Sequence, residues 1–264
     1  MKTVQLIDIA IQAALLAGEK IMEVYASDDF QIVEKDDFSP LTKADREAHL
    51  QISNLLETTQ IPILSEEGIH LHFDERKRWR TFWLVDPLDG TKEFISRNDE
   101  FTVNIALICE NQPIAGVIYI PVSKELYVGI VDAGAYKIQN PERDCTYDWI
   151  SIHGMKLPLP KAANEFTVAA SRTHLDDQTV AFIEDLKKPH PDLKLIRKGS
   201  SLKLCMIAEG TADIYPRFGP TMEWDIAAGH AIVKAAGKNV FQTDRQTEIR
   251  YNKEDLLNPH FIVL

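Results

Sequence analysis

The sequence predicts a protein of the α/β class, with an α+β N-terminal half and an α/β C-terminal half. Residues 101 to 139 contain four apolar or alternating runs separated by turn residues, the pattern of an antiparallel sheet. Residues 166 to 242 instead alternate strand-like and helix-like segments, which indicates an α/β arrangement. The chain of 264 residues, 45% of them apolar, is long enough to bury a substantial core.

The N-terminal segment predicts two helices joined by a polar loop. Charged residues interrupt the apolar content of residues 1 to 25 at helical spacing, which favours an amphipathic helix over an export signal. Residues 30 to 41 have the polar and proline content of a strand leading into a loop. Thr42 can then cap a helix over residues 43 to 58, with Asp45 in the first turn, where the helix dipole favours an acid.

Two short strands follow, and both lead into acidic residues. Residues 61 to 64 form a strand candidate before Glu66, and residues 81 to 86 form the next after a polar connection. Asp86 precedes Pro87, so its backbone is extended or turn-like. The carboxyl ends of buried strands are where α/β proteins tend to bind ligands.

The second half of the chain follows a junction rich in proline and polar residues at 141 to 164. We therefore divide the chain into an α+β subdomain, residues 1 to 150, and an α/β subdomain, residues 151 to 264. The predicted strands of the second half are 166–170, 193–197, 212–216 and 239–242, and its helices are 175–187, 200–209 and 224–236.

Composition excludes several classes of protein. The formal charge of −11 argues against a nucleic-acid surface, which needs clustered Lys and Arg. Three widely spaced cysteines indicate neither a disulfide framework nor a thiolate zinc site, and fit a reducing cytosol. No run approaches the roughly 20 apolar residues that span a bilayer. We expect a cytoplasmic protein. Two properties stay open: peripheral association with the inner membrane, and the oligomeric state.

Acidic residues mark the candidate site. They stand where strands meet loops or helices begin, and they are Asp45, Glu66, Asp86, Asp89 and Asp225. In one cleft they would repel one another, so a shared site needs cations. Mg²⁺ prefers carboxylate and carbonyl oxygens and often bridges to a substrate phosphate, and it is the predicted cofactor.

Each acid also has an ordinary role open to it. Asp45 suits the first turn of a helix, Glu66 suits a solvated loop, and Asp225 suits the N-cap of a helix over 226 to 236 that Gly237 closes.

The residues after Asp89 add a feature that a simple turn does not explain. Gly90 permits close backbone approach, and exposed amides at a following helix start can receive a phosphate. The Thr91 hydroxyl can orient a water molecule.

Three motifs resemble the signatures of the inositol monophosphatase superfamily of Mg²⁺-dependent, Li⁺-inhibited phosphatases: Glu66-Glu67, DPLDGT at 86–91 and WDIAAG at 224–229. The longer strings VDPLDGTKEFISRNDEFTVNIALI, GSSLKLCMIAEG and YPRFGPTMEWDIAAGHA resemble the 3'(2'),5'-bisphosphate nucleotidases of the CysQ type. The resemblance implies a layered αβαβα sandwich with the active cleft between its two halves.

The resemblance also implies residue roles at the metal end of that cleft. The metal ligands would be Glu66, Asp86, the Leu88 carbonyl, Asp89 and Asp225, holding two to three Mg²⁺ ions with Asp86 bridging two of them. Asp45 and Thr91, with Glu66, would place and deprotonate the attacking water. The implied reaction is in-line attack on phosphorus without a phosphoenzyme.

For the substrate, the resemblance implies a small phosphorylated nucleotide. Ser171, His174, Gly199 and Lys203 are similar to the positions that hold the adenosine and its remaining phosphate, beside Gly90 and Thr91. His174 can alternatively cap a helix and Lys203 can be a solvated helix residue. Arg217 can pair with a phosphate oxygen or lie on the surface as a cation. Met222-Glu223 departs from the family pattern, in which small or uncharged residues often precede the equivalent of Trp224. Glu223 would add an acid beside the site and so affect which substrate is preferred.

The implied activity is removal of the 3'-phosphate of adenosine 3',5'-bisphosphate, giving AMP and phosphate, with the sulfated precursor as a further candidate substrate. Two alternatives stay open at this point. One is an inositol or fructose phosphatase of the same superfamily, and the other is a non-catalytic protein that binds phosphorylated metabolites.

Overall fold

The computed structural model describes residues 1–27, 29–34, 40–69, 71–161, 165–172 and 176–264. Its helices are α1 (Thr3–Tyr25), α2 (Lys43–Leu56), α3 (Phe73–Arg76), α4 (Thr91–Ile95), α5 (Tyr147–His153), α6 (Asp177–Lys187), α7 (Leu202–Glu209) and α8 (Glu223–Ala235), with a 3-10 turn at Glu57–Thr59. Its strands are β1 (Val33–Glu34), β2 (Pro40–Leu41), β3 (Ile63–Ser65), β4 (Thr81–Asp89), β5 (Thr102–Cys109), β6 (Gln112–Ile120), β7 (Glu125–Ile130), β8 (Gly134–Gln139), β9 (Met155–Lys156), β10 (Thr167–Ser171), β11 (Lys194–Lys198), β12 (Tyr215–Arg217), β13 (Val240–Gln242) and β14 (Phe261–Val263).

A seven-stranded sheet in the order β3-β4-β5-β6-β7-β8-β9 forms the centre of the fold. Strand β3 pairs parallel with β4, and the remaining neighbours are antiparallel. Helices α1 and α2 cover one face and α8 covers the other. Beyond α7 and α8 lie the parallel pair β10-β11, the three-stranded sheet β12-β14-β13 and α6. This is the expected layered αβαβα sandwich.

Strand β4 shows why its sequence is apolar without interruption. Trp83 and Val85 belong to the core between the sheet and α1-α2, whereas Phe82 and Leu84 belong to the core between the sheet and α7-α8. Side chains alternate between the two faces of a strand, so a strand covered on both faces is apolar at every position. The acids at its end therefore stand on one of the most buried strands of the protein.

Most predicted elements are confirmed, with bounds shifted by a few residues. The Thr42 cap of α2 is present, because its hydroxyl accepts from the Ala44 amide. The segment 30 to 41 differs from the expected strand: its described part contains only the two-residue strands β1 and β2. Short helices α3 and α5 lie in segments predicted to be polar connections, and β14 was not predicted.

Helix α8 begins earlier than the sequence predicts. Its N-cap is Met222, so the ordinary role for Asp225 as the N-cap is wrong. Asp225 occupies the third helical position, and its Oδ2 accepts a hydrogen bond from the Met222 amide at 2.9 Å. The division at residue 150 stays a prediction. None of the helices within the described residues is long and apolar enough to cross a membrane.

Candidate active site

Three acidic side chains from separate elements meet at one edge of the central sheet. Glu66 follows β3, Asp86 lies in β4 and Asp225 lies in the first turn of α8. One carboxylate oxygen from each of the three lies within 4.8 Å of the other two. Because β3 and β4 run parallel as neighbours, their carboxyl ends reach the same edge, and α8 brings the third acid across from the opposite layer.

A β-bulge re-aims the side chains at the end of β4. The strand continues to Asp89 with a register shift between Asp86 and Asp89, so Pro87 lies in a bulge within a longer strand. The Leu88 amide donates to Asp86 Oδ1 at 3.1 Å. Gly90 follows with φ 94°, a left-handed conformation that suits glycine, and α4 begins at Thr91.

Asp45 and Thr91 form a hydrogen-bonded pair beside these acids. Thr91 Oγ1 donates to Asp45 Oδ1 at 3.1 Å and lies 3.4 Å from the Leu88 carbonyl oxygen. The other oxygen of Asp45 accepts from the Thr42 amide and hydroxyl at 2.7 and 2.5 Å. Burial raises the pKa of Asp45, while these hydrogen bonds oppose the rise. The pair links the first turn of α2 to the first turn of α4.

The electrostatics of the acid cluster are unfavourable without a cation. Burial raises the pKa of Asp86 well above its ordinary value, and repulsion from Glu66 and Asp89 adds to it. Burial and repulsion from Asp89 and Glu66 likewise raise the pKa of Asp225. Burial raises the pKa of Asp89 to about 6, although the nearby charge of Lys203 opposes the rise. Carboxylates held together in this way are stabilised by a shared cation, so the residues fit a metal site.

A cleft of about 230 Å³ connects this acidic end to a cationic end. Asp89, Gly90 and Asp225 are among its lining residues, and Asp225 belongs to the acid cluster. The expected substrate residues that also line it are Ser171, Gly199, Lys203 and Arg217. The cleft is therefore lined by two of the predicted metal ligands, Asp89 and Asp225, together with four of the predicted substrate residues. Glu66 and Asp86 do not line it, and they join it through their contact with Asp225. His174 lies outside the described residues.

Two of the three cations that line the cleft, Lys203 and Arg217, are buried, so their ordinary alternatives as solvated surface residues are wrong. Lys203 is 5% exposed, and its Nζ donates to the carbonyl oxygens of Lys198 at 3.1 Å and Ser200 at 2.5 Å. Burial lowers the pKa of Lys203 to about 8, with the charge of Asp89 opposing. Arg217 is 8% exposed and donates from Nη2 to the Pro220 carbonyl, while its buried Nε has no hydrogen-bond partner among the described residues.

Sequence reasoning missed Asn104, which positions Asp89. It lies within β5, and its Nδ2 donates to Asp89 Oδ2 at 3.3 Å. Its Oδ1 accepts from the hydroxyls of Thr102 and Ser201 at 3.0 and 2.8 Å. A single amide inside the apolar run FTVNIALI was the available signal, because buried polar groups require partners.

Glu223 does not face the cleft, contrary to the expectation that it adds an acid to the site. The side chain is fully buried, and its carboxylate accepts from the amides of Asn252 at 2.6 Å and Lys253 at 3.0 Å. The Lys253 ammonium also donates to this carboxylate, at 2.5 Å. Glu223 therefore joins the start of α8 to the 252–253 loop.

Comparisons with known proteins agree with this arrangement. The model of the inositol monophosphatase family matches residues 2–263. The chain is 43% identical over 255 residues to the 3'(2'),5'-bisphosphate nucleotidase CysQ of Salmonella typhimurium, covering 96% of each chain. It is 41% identical over 261 residues to the protein of the same name from Escherichia coli K12, covering 98% of this chain and 99% of the relative.

Solved structures show the same fold. The crystal structure of CysQ from Bacteroides thetaiotaomicron, a bacterial member of the inositol monophosphatase family, is 52% identical and superposes with a TM-score of 0.90 over 97% of this chain and 95% of that one. The Thermotoga maritima inositol monophosphatase shares the fold at 24% identity, with a TM-score of 0.74 over 97% of this chain and 91% of that one. The family match over nearly the whole chain leads to one conclusion: this protein belongs to the inositol monophosphatase family.

Proposed function

We propose that this protein is a Mg²⁺-dependent phosphatase that removes the 3'-phosphate of adenosine 3',5'-bisphosphate, with the sulfated precursor as a second substrate. One observation carries the proposal: a single cleft is lined by Asp225 of the carboxylate cluster, by Asp89, and by the two buried cations Lys203 and Arg217. A substrate with a phosphate to be cleaved and a second anionic group fits such a cleft. The names of the relatives from Salmonella typhimurium and Escherichia coli support this substrate class.

The acidic end would hold two to three Mg²⁺ ions. The donors are Glu66, Asp86, Asp89, Asp225 and the Leu88 carbonyl, an all-oxygen set of the kind that Mg²⁺ prefers. Bound Mg²⁺ would supply neutralisation of the phosphate charge and acidification of a bound water.

Asp45 and Thr91 would act on the attacking water. The Thr91 hydroxyl donates its hydrogen to Asp45 Oδ1. The lone pairs of Thr91 Oγ1 can therefore accept a hydrogen bond from a water. The water's proton would then pass through Thr91 Oγ1 towards Asp45 Oδ1. The raised pKa of Asp45 suits a proton acceptor. Glu66, at the same edge, would orient the water from its other side.

The cationic end would hold the remaining phosphate and the adenosine. The Nε of Arg217, which has no partner in the part of the chain that the structure describes, is a buried donor that a phosphate oxygen would satisfy, and Lys203 lines the same cleft. Ser171 is the last residue of β10, Gly199 directly follows β11, and both line the cleft. His174 completes the proposed set from the sequence.

A phosphate-release panel tests the proposal. Purified protein with Mg²⁺ would be compared on adenosine 3',5'-bisphosphate, inositol phosphate and fructose bisphosphate, with Asp86→Asn as the control. We expect the highest kcat/KM on the nucleotide and almost no release by the variant. Equal values on all three substrates would remove the nucleotidase assignment in favour of a broad phosphatase. Undiminished activity of Asp86→Asn would remove the metal assignment, and no release from any substrate would indicate a non-catalytic binding protein.

A further inference from the structure

A buried carboxylate outside the acid cluster joins the segment between α4 and β5 to the carboxyl ends of β10 and β11. Glu100 lies between α4 and β5 and is 6% exposed. The turn that carries it contains two left-handed residues, Arg97 with φ 51° and Asp99 with φ 68°. Asp99 accepts from the Tyr25 hydroxyl at 2.7 Å, which fixes the turn to the end of α1. Glu100 therefore lies in a segment that the Tyr25–Asp99 hydrogen bond already holds in place.

The carboxylate of Glu100 accepts four hydrogen bonds from residues far away in the sequence. Arg172 donates to both oxygens, from Nε at 2.9 Å and Nη2 at 2.6 Å. Lys198 Nζ donates at 3.0 Å and the Gly199 amide donates at 2.7 Å. Burial alone would raise the pKa of Glu100, but these bonds hold it below its ordinary value. The group is thus a charged, fully partnered anchor.

The partners of Glu100 include one cleft residue, Gly199, and two neighbours of cleft residues, Arg172 and Lys198. Ser171 and Lys198 are paired residues at the carboxyl ends of β10 and β11, and Arg172 and Gly199 follow them directly. Gly199 packs so closely that a Cβ there would lie 3.2 Å from the Cβ of Glu100. Glu100 thereby ties the ends of both strands, including the cleft residues Ser171 and Gly199, to the segment that follows α4.

We propose that Glu100 is a positioning residue for nucleotide recognition, fixing the Ser171 and Gly199 wall of the cleft relative to the metal end. This inference rests on the proposed nucleotidase function. Glu100 itself is not among the residues that line the cleft, so it acts through Arg172, Lys198 and Gly199. It governs the affinity for the nucleotide and leaves the phosphate-cleaving step to the acidic end.

A positioning role and a purely electrostatic role of Glu100 predict opposite effects of Glu100→Gln on nucleotide binding. The substitution removes one negative charge near an anionic substrate, so electrostatic attraction alone would tighten binding. Loss of the anchor frees Arg172 and Lys198 and loosens the wall, which weakens binding. The glutamine is similar in size and can still accept from the Gly199 amide, so it removes the ion pairs with little change in packing.

Kinetics and product binding separate these two effects. For Glu100→Gln we expect the KM for adenosine 3',5'-bisphosphate and the Kd of AMP to rise roughly tenfold, the scale of one lost charge-assisted hydrogen bond, with kcat within about twofold. AMP is the informative probe because it keeps the nucleoside and lacks the phosphate that is cleaved. Calorimetry would give its Kd at saturating Mg²⁺.

Glu209→Gln is the matched control. Glu209 is also a poorly exposed carboxylate with hydrogen bonds from Tyr127 and Lys137, both at 2.7 Å, and it does not line the cleft. Glu209→Gln should lower the melting temperature about as much as Glu100→Gln does, and it should leave KM and the Kd of AMP unchanged. Equal weakening of AMP binding by both variants would assign the Glu100 effect to general destabilisation and overturn the inference.

Arg172→Gln tests the same contact from its more exposed partner, should Glu100→Gln fold poorly. We expect a smaller rise in KM, and a double variant no worse than Glu100→Gln alone, because coupled residues are not additive. A KM that falls or stays unchanged in either single variant overturns the inference while the proposed function stands. Absence of turnover and of AMP binding in the unsubstituted protein would instead overturn the proposed function.

Discussion

The acid cluster and Glu100 are two opposite environments for buried carboxylates within one cleft region. Asp86 and Asp225 face each other and Glu66, and burial with mutual repulsion raises the pKa of both aspartates. Glu100 faces two cations and a backbone amide, and its pKa is held low. The same side-chain group is therefore only partly compensated by protein donors in one place and compensated by four of them in the other.

This difference shows which buried carboxylates are stabilised by groups of the chain and which need cations from solution. A carboxylate cluster without enough donors is stabilised when cations bind, so its order depends on metal concentration. A carboxylate with four donors is complete once the chain has folded. Neutralising substitutions should therefore relieve repulsion in the metal-free acid cluster and remove attraction at Glu100.

The largest effect is expected for Asp225→Asn. An asparagine oxygen can still accept from the Met222 amide, so α8 keeps its first turn. The phosphatase rate should fall roughly a thousandfold, because a lost metal ligand removes several kcal/mol of charge stabilisation. Without metal, the variant should melt at the same temperature as the unsubstituted protein or higher.

Thermal melts with and without Mg²⁺, beside phosphate-release assays, check this prediction. Mg²⁺ should raise the melting temperature of the unsubstituted protein by several degrees and that of Asp225→Asn much less. A metal-free variant that melts well below the unsubstituted protein would mean that the cluster is held together by the chain, and the contrast with Glu100 would disappear.

Thr91→Val should have the next largest effect. It removes the hydroxyl that donates to Asp45 while keeping the side-chain volume, so kcat should fall roughly a hundredfold, in the range of general acid and base contributions. Thr91→Ser is the control that keeps the hydroxyl. Mg²⁺-dependent stabilisation should persist in both variants, and a loss of that stabilisation in Thr91→Val would place Thr91 among the metal contacts.

Glu223→Gln extends the contrast to a third buried carboxylate. Glu223 accepts hydrogen bonds from Asn252 and Lys253, as Glu100 does from its partners, but burial raises its pKa, as it does in the acid cluster. We expect a loss of about 2 kcal/mol in the free energy of unfolding, because a charge-assisted bond is lost. The ratio of kcat/KM between nucleotide and inositol phosphate should not change. A changed ratio would return Glu223 to the substrate site.

The sequence predicted the acidic end of the site better than its anchors. Glu66 and Asp86 follow apolar strands, and Asp225 stands at a helix start, so local pattern alone marked them. Glu100 has no such signal, because its partners lie 72 to 99 residues away in the sequence. Only the folded arrangement of β10 and β11 brings those partners to it.

The fold shows the same limit. Long apolar runs such as β4 to β7 were predictable because both faces of the central sheet are covered. Helix α5 was missed because the composition of 141 to 164 resembles a linker, and β14 was missed because a three-residue strand depends on its partners β12 and β13. Short elements are determined by tertiary pairing more than by local propensity.

The smallest expected effect is the pH dependence of the Glu100 contribution to stability. The folded-state pKa of Glu100 lies below its ordinary value of 4.5, so the folded protein binds fewer protons than the unfolded chain as pH falls past 4.5. The stabilisation is therefore present above the unfolded pKa and is lost as pH falls through the folded pKa. The difference in unfolding free energy between the unsubstituted protein and Glu100→Gln should be constant from about pH 7 to about pH 5.5 and shrink below about pH 4.5. Urea unfolding at several pH values with a chelator present measures it. A difference that grows on acidification would show that Glu100 is destabilised as an anion, like Asp86, and the two environments would then be of one kind.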